Sequence, residues 1–284
     1  KMSDPALGLT QLLLFLFFDW GEDGTVGDGK HTAVIHVHGV IESSGEGSAR
    51  NINEALQAAF KDAATTGVIL RINSPGGSPV QAGIVHDEIL RLRTEYPQVP
   101  LYVVVEDLCA SGGYYIAVAA DKIFVDKASI VGSIGVLMDG FGFTGAMDKL
   151  GVERRLLTAG ENKGFLDPFS PQDEKQKAHA QVLLGEIHRQ FIEVVRKGRG
   201  QRLKETPEMF TGLMWTGTQS IQLGLTDGLG TVSSVAREVI KAEKLVDFTV
   251  KDSLPERLAK RLRAETAFGA GNALFGELGR LIVR

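Results

Sequence analysis

The apolar positions of this chain follow two alternating patterns. Short runs rich in Val, Ile and Leu are typical of strands buried in a sheet. They cover residues 32–41, 67–74 and 99–110. Between these runs the apolar residues recur at helical spacing, as at Ile52, Leu56 and Phe60, and they predict helices over residues 52–63 and 80–96.

The second half of the chain continues the alternation. A helix is predicted over residues 111–123, directly after the third strand, and short strands follow at 123–126 and 129–138. Residues 172–198 form one long charged segment that is typical of a helix. Strands that alternate with helices favour βαβ units, so we predict an α/β fold with a mostly parallel sheet.

Both ends of the chain differ from this pattern. The apolar run Leu12–Phe18 is shorter than the about 20 residues that span a bilayer. It is either a helix that packs on the body or the remnant of a membrane anchor. The segment after Val250 is amphipathic and basic in its first half, which predicts a helix docked on the body or on a partner subunit, with membrane-surface contact as the alternative. We therefore divide the chain into an N-terminal segment with linker (1–31), a main domain (32–245) and a C-terminal extension (246–284).

Composition and charge narrow the classes of protein. With 43% hydrophobic and 23% charged residues, the 284-residue chain has the composition of a globular protein. Its net charge of −4, from 31 basic and 35 acidic residues, argues against a nucleic-acid binder, which usually carries a basic excess. The single cysteine, Cys109, excludes an intrachain disulfide and a zinc site built from several cysteines.

Three glycine-rich turns follow predicted strands. They are Asn73–Ser78, Ala110–Tyr115 and Val131–Gly135. Ligands of parallel α/β sheets bind at the carboxyl ends of the strands, so we expect the three turns to converge on one site. Ser111 lies at a strand-to-helix turn, where unpaired N–H groups, starting with that of Gly112, can bind an oxyanion, and Gly76 and Gly77 offer a second donor. The alternative is that Ser111 is an ordinary helix N-cap.

A serine nucleophile requires a base. The six histidines all lie outside the glycine-rich turns, at positions His31, His36, His38, His86, His179 and His188. His36 and His38 share a strand face, but no third metal ligand accompanies them. A Ser-Lys arrangement is then the better candidate, and it requires a desolvated, neutral lysine. Lys163 lies in an irregular segment with Phe165 and Leu166 beside it, although a lysine in a loop is more often exposed than catalytic.

Five segments are loosely specific one by one and highly specific in combination. They are LRINSPGGSP, ASGGYYIAVAADKI, VGSIGV, TAGENKGFLDPF and WTGTQSIQLGLTDGLG, within residues 32–240. Together they resemble the signal peptide peptidase A family, also called protease IV. The resemblance implies a ClpP/crotonase-like spiral of repeated βαβ units with extra N- and C-terminal helices, and a Ser-Lys serine protease without cofactor or metal. It implies Ser111 as nucleophile, Lys163 as general base, Ser133 as hydrogen-bonding partner of the lysine, and Gly77 and Gly112 as oxyanion donors.

The resemblance also implies substrates, partners and a location. The substrates would be remnant signal peptides and other extended apolar peptides, which pair with a strand edge. Single-domain members form ring-like homo-oligomers whose dyads are completed across a subunit boundary, so we expect Ser111 and Lys163 from adjacent chains. We expect membrane association, with the catalytic domain on the periplasmic or outer side of a bacterial inner membrane, and no nucleic-acid partner. Family members usually carry a transmembrane helix before the body, whereas here only the Leu12–Phe18 run is present.

Two other functions stay open at this point. A crotonase-type acyl-CoA enzyme would share the fold and the paired oxyanion donors, and it would need acidic catalytic residues, for which Glu106 and Asp107 are the nearest candidates. A membrane-associated scaffold without activity would leave Ser111 unreactive. The combination of Ser111, Ser133 and Lys163 favours the protease.

Overall fold

The computed structural model describes residues 29–251. The predictions for the Leu12–Phe18 run and for most of the C-terminal extension lie outside the described residues. The strands are β1 (His31–Ile41), β2 (Thr65–Gly77), β3 (Leu101–Ala110), β4 (Lys122–Val125), β5 (Ile130–Gly132), β6 (Met214–Thr216), β7 (Gly228–Leu229) and β8 (Leu245–Asp247). The helices are α1 (Ala49–Lys61), α2 (Pro79–Glu95), α3 (Gly112–Ala117), α4 (Thr144–Leu150), α5 (Glu174–Arg199), α6 (Gly217–Gln222) and α7 (Val232–Ser234), with a 3₁₀ turn at Gly200–Arg202 and a π-helix at Val235–Ile240.

The strands of the described part form one sheet at the centre of the molecule. Its main path runs β6-β5-β3-β2-β1-β8, and β4 pairs with β3 and with β7. Every pair is parallel except β5 with β6. The predicted α/β class with a mostly parallel sheet is therefore confirmed, and β8 extends the sheet across position 245, where the sequence placed the end of the main domain.

The predicted elements differ from the observed ones mainly beside the glycine-rich turns. Strand β2 continues through Gly76 and Gly77, which were expected in a loop, because they pair with β1. The predicted strand 129–138 is limited to β5, since Ser133 adopts a φ of 51° and turns the chain out of the sheet. Helix α3 ends at Ala117, well before residue 123, because Asp121 N–H donates to Leu101 O and the chain then enters β4.

Helices α1, α2 and α3 cover one face of the sheet and enclose the main core. The spacing of Ile52, Leu56 and Phe60 was predictive, since all three are buried there. The amino-terminal half of the opposite face is covered by a smaller cluster in which Ile69 and Val104 pack against the π-helix. Among the helices of residues 29–251, none has the length and apolar character required to cross a bilayer.

A buried ion pair connects the long helix α5 to the sheet. Arg199 is only 1% exposed and donates to both carboxylate oxygens of Asp227, at 2.9 Å each, and to Gly224 O at 2.8 Å. Asp227 also accepts the N–H of Ile123 at 2.7 Å. Helix α5 is thereby fixed to β4, and the position of its other residues in the molecule follows from this contact.

Candidate active site

Ser111 occupies the turn between β3 and α3 in an unusual backbone conformation. Its φ of 50° lies in the left-handed region, which costs a non-glycine residue about 1–3 kcal/mol unless its surroundings impose it. The imposed contact is visible, because Ser111 N–H donates to Gly132 O at 2.9 Å. Ser111 stands at the N-cap position of α3, yet its side chain makes no capping hydrogen bond. The N-cap interpretation of the sequence is therefore wrong, and the hydroxyl is left free to face the adjacent cavity.

Two glycine turns meet at Ser111. A Cβ atom added to Gly76 would lie 2.7 Å from Gly112 N and 2.7 Å from Ser111 Cβ, so only glycine allows this approach. A Cβ added to Gly112 would lie 3.3 Å from Gly77 N. Among the described residues, no acceptor lies within hydrogen-bonding distance of the Gly112 N–H. The backbone N–H groups of Gly77 and Gly112 therefore lie side by side, in the arrangement that an oxyanion site requires.

Ser74 orders this turn from below, and sequence reasoning missed it. The side chain is fully buried, and its hydroxyl donates to Gly39 O at 2.6 Å while accepting the Gly76 N–H at 3.1 Å. A single hydroxyl thus joins β1 to the glycine turn. The only signal in the sequence is a small polar residue that follows the apolar strand directly, which is also typical of an ordinary loop.

Ser133 is the second serine that the fold brings to the same cavity. Like Ser111 it has a left-handed φ, of 51°, and its N–H donates to Leu213 O at 2.8 Å. The two serines are linked through the backbone of the residue before Ser133, because Gly132 O accepts the Ser111 N–H. The predicted convergence of the three glycine-rich turns is thus what the structure has.

The cavity beside Ser111 has a volume of about 520 Å³ and a mainly apolar wall. It is lined by Pro75, Gly77, Pro79, Ala82, Ser111, Gly112, Tyr115, Ser133, Gly135, Val136, Leu137, Ile187, Gln190, Phe191, Thr211 and Gly212. The Tyr115 ring stands between His86 and Phe191, with ring centroids 5.4 and 5.2 Å away, and burial raises the pKa of its hydroxyl. The lining holds no His, Lys, Asp or Glu of the described chain. A base for Ser111 must therefore come from outside this lining.

Lys163 lies on a surface loop rather than in the cavity. Its side chain is exposed, and its N–H donates to Gly160 O at 3.1 Å within a run of turns. The apolar setting expected from Phe165 and Leu166 is only half-buried within one chain. The fold thus brings Ser111, Ser133, Gly77 and Gly112 together and leaves Lys163 apart from them.

Residues 137–169 form an arm around Lys163 with many exposed apolar side chains. Leu157 is 96% exposed and Phe141 is 81% exposed. The other exposed apolar residues of the arm are Leu137, Met138, Phe143, Leu150, Val152, Leu156 and Phe169. Apolar surface on this scale is typical of an interaction surface.

Comparison with known proteins places this arrangement in a family. The model of peptidase family S49 matches residues 94–247, which include Ser111, Ser133 and Lys163. The chain belongs to peptidase family S49. The S49 match begins after Gly77, so the second oxyanion donor lies outside the matched stretch and rests on the geometry alone.

Individual relatives of this S49 chain cover different parts of it. It is 44% identical over 210 residues to the Na⁺/H⁺ antiporter NhaA of Brucella abortus, across 72% of this chain and 28% of that protein. It is 31% identical to the putative signal peptide peptidase SppA of Enterococcus faecium, across 78% of this chain and 66% of that protein. It is 32% identical to protease 4 of Haemophilus influenzae, across 87% of this chain and 42% of that protein. The chain thus spans less than two thirds of the length of each of these relatives.

Among solved structures, the fold is similar to that of a 1510-N membrane-bound stomatin-specific protease in a mutant form. The two chains are 12% identical, with a TM-score of 0.47, and the match covers 79% of this chain and 96% of the other.

Proposed function

We propose that this S49 chain is a serine endopeptidase in which Ser111 is the nucleophile and Lys163 the general base. The observation that carries the proposal is the conformation of Ser111. Its hydroxyl is not used to cap α3 and adjoins the cavity where the N–H groups of Gly77 and Gly112 lie side by side. A capping serine would instead donate its oxygen to the helix. For the whole molecule, we propose that the sheet belongs to a ClpP/crotonase-like spiral.

The proposed reaction proceeds through an acyl-enzyme. Ser111 Oγ attacks the peptide carbonyl carbon while its proton passes to the neutral Lys163 Nζ. The N–H groups of Gly77 and Gly112 bind the negative oxygen of the tetrahedral intermediate. The protonated lysine then gives its proton to the leaving amine, and the peptide C–N bond breaks. A water molecule, deprotonated by the same lysine, hydrolyses the Ser111 ester and restores the enzyme.

We propose that Lys163 reaches Ser111 from a neighbouring copy of the chain in a ring-like homo-oligomer. Two features support this arrangement. The lining of the Ser111 cavity holds no base of the same described chain, and the arm that carries Lys163 is exposed and apolar. Burial of the arm against a second copy would remove Lys163 from water, which favours the neutral amine that the reaction needs. Ser133, which lines the cavity, would then orient the incoming amine.

The proposed substrates are extended apolar peptides, with remnant signal peptides at the membrane as the natural class. The apolar wall of the cavity supports this proposal, because it offers no charged group to a substrate side chain. For the same reason we place the catalytic domain at the periplasmic or outer side of a bacterial inner membrane, where such peptides are released. No cofactor takes part in the proposed reaction.

Covalent labelling tests the dyad. Wild type, Ser111→Ala and Lys163→Ala are incubated with a peptidyl fluorophosphonate or a lipopeptide aldehyde, and the intact mass is measured. We expect an adduct on wild type, none on Ser111→Ala and a sharply slower adduct on Lys163→Ala. Lys149→Ala is the matched control, because Lys149 is also an exposed lysine of the arm. Absence of an adduct on folded, assembled wild type would refute the proposal.

Mixing of the two inactive variants tests the origin of the lysine. Ser111→Ala and Lys163→Ala are unfolded and refolded together, so that mixed assemblies form. If the dyad crosses a subunit boundary, each such boundary can pair an intact Ser111 with an intact Lys163, and labelling returns to part of the wild-type rate. If the two residues act within one chain, the mixture stays as inactive as its components.

The acyl-CoA alternative loses its candidate acids in the structure. Glu106 and Asp107 line a separate cavity and not the one beside Ser111.

A further inference from the structure

A second groove opens on the sheet face opposite α1, α2 and α3. It has a volume of about 700 Å³ and shares no lining residue with the Ser111 cavity. Its walls are Arg71, Val104, Val105, Glu106, Asp107, Asp126, Ala128, Ser129, Ile130, Gly230, Thr231, Val232, Ser233 and Leu245. The lining thus combines an apolar part with a rim of carboxylates and hydroxyl groups, and nothing in the proposed peptidase reaction uses it.

The rim of the groove carries an excess of negative charge. Arg71 is the only cation of the lining, and it is paired with Glu106. Asp107 accepts a hydrogen bond from the neutral amide of Asn73 at 2.9 Å, and Asp126 accepts the N–H of Ala128 at 2.9 Å. Two of the three carboxylates are therefore not matched by a cation of the groove, which favours a basic occupant.

The C-terminal part of the chain starts next to this groove. Leu245, at the start of β8, lines it, and the chain then runs to Lys251, whose Nζ lies 3.3 Å from Asp247 Oδ2. Strand β8 is three strands from β3, a distance of about 14 Å at about 4.8 Å per strand. The five residues 252–256, when extended, span about 17 Å. A segment that begins at residue 257 is therefore within reach of the groove of its own chain.

The segment 257–263, RLAKRLR, has the chemistry that the groove would bind. It holds four cations and no acid: Arg257, Lys260, Arg261 and Arg263. Leu258 and Leu262 are four positions apart, so a helix would place them on one side with cations beside them. The leucines match the apolar lining, and the cations match Asp107 and Asp126.

We infer that residues 257–263 dock in the groove of their own chain, on the sheet face opposite the catalytic serine. This inference is independent of the proposed peptidase activity. Docking covers the apolar lining at Val232 and Leu245 and pairs the unmatched carboxylates of the rim. It assigns the C-terminal extension to the body of the molecule rather than to a membrane surface.

Crosslinking in the full chain tests the docking. Cysteines are placed in the segment and at the groove, Ala259→Cys with Ser233→Cys, and a short bismaleimide is added. The control pair is Ala259→Cys with Glu54→Cys, because Glu54 is exposed on α1, on the other face of the sheet. The native Cys109 does not compete, since it is buried and burial raises the pKa of its thiol far above the usual value. We expect a crosslink within one chain for the Ser233 pair and its loss for the Glu54 pair.

Other outcomes overturn the inference. Equal yields for the two pairs would mean random collision, and a product of dimer mass would mean that the segment binds a neighbouring copy. Charge gives a second test: Glu106→Gln with Asp107→Asn should reduce the crosslink yield several-fold, whereas Asp87→Asn with Glu95→Gln, exposed carboxylates of α2, should leave it unchanged. If only vesicles of phosphatidylglycerol and phosphatidylcholine reduce the yield, the segment binds lipid and the inference fails.

Discussion

At the scale of single residues, the site depends on backbone positions that few side chains tolerate. Ser111 and Ser133 hold left-handed φ angles, and Gly76 and Gly77 lie where any Cβ would collide. Such strain persists only where surrounding contacts enforce it, and it concentrates at functional sites. In this chain the enforced positions surround one cavity, so their substitution should affect stability and labelling together.

Two glycines only six residues apart should respond in opposite directions to alanine. At Gly77 a Cβ would overlap Ile41 O, so Gly77→Ala should destabilise by about 1–3 kcal/mol and abolish labelling of Ser111. At Gly83, inside α2, nothing lies within 4 Å of the added Cβ. Gly83→Ala should therefore stabilise by about 0.5–1 kcal/mol through the better helix propensity of alanine. Urea denaturation of both variants measures the difference, and equal effects would contradict the argument.

Ser74 should matter for both stability and catalysis. Ser74→Ala leaves Gly39 O and the Gly76 N–H without their shared partner in a buried place, which costs about 1–3 kcal/mol. The Gly76–Gly77 turn should then lose its fixed position, and labelling of Ser111 should slow. Ser233→Ala, at an exposed position, is the control and should change the unfolding free energy by less than about 0.5 kcal/mol. Unchanged labelling in folded Ser74→Ala would show that Ser74 is only structural.

At the scale of elements, helix α5 provides one wall of the cavity through Ile187 and Phe191, and its carboxyl end is held by Arg199. Burial alone would raise the pKa of the Asp227 carboxyl, but the hydrogen bonds and charge of Arg199, with smaller contributions from Ile123 N–H and Arg202, hold it below its ordinary value. A carboxyl whose pKa is lower in the folded state stabilises the fold above its unfolded pKa. That stabilisation is lost as the pH falls through the folded value.

The stability of the molecule should therefore decrease in acid through Asp227. The unfolded carboxyl titrates near pH 3.9, so the contribution should be complete above about pH 5 and decrease below about pH 4. Asp227→Asn should cost about 3–5 kcal/mol at neutral pH, because it leaves the buried Arg199 charge unpaired, and it should flatten the acid slope. Denaturation at a series of pH values checks both effects. Glu205→Gln, which breaks the exposed pair with Arg196, should do neither.

At the scale of the whole molecule, the exposed apolar arm 137–169 and the lack of a base in the cavity lining point the same way. Both need a second chain, one to cover the arm and the other to supply Lys163. Phe141→Ser with Leu157→Ser should therefore shift the protein to smaller species in sedimentation and reduce labelling of Ser111 in parallel. Val182→Ser, on the exposed side of α5, is the control. Full labelling by a monomeric arm variant would refute the shared site.

The sequence by itself determined the class of fold and most elements, because burial requires the same spacing in any fold. The period of Ile52, Leu56 and Phe60 could belong only to a helix with one buried side, and residues 32–41 could belong only to a buried strand. It also led to Ser111 and the glycines of the turns. Lys163 was reached only through the family resemblance, since nothing local separates it from an ordinary surface lysine.

Tertiary structure alone decided what each of these residues does in space. It determined that Ser111 does not cap α3, because that depends on a φ imposed by Gly132 on another strand. It revealed Ser74, whose partners are a residue of β1 and a glycine two positions on, and it separated Glu106 from the serine by placing them at different cavities. These facts depend on contacts between residues far apart in the chain, and a pattern read along one dimension does not contain them.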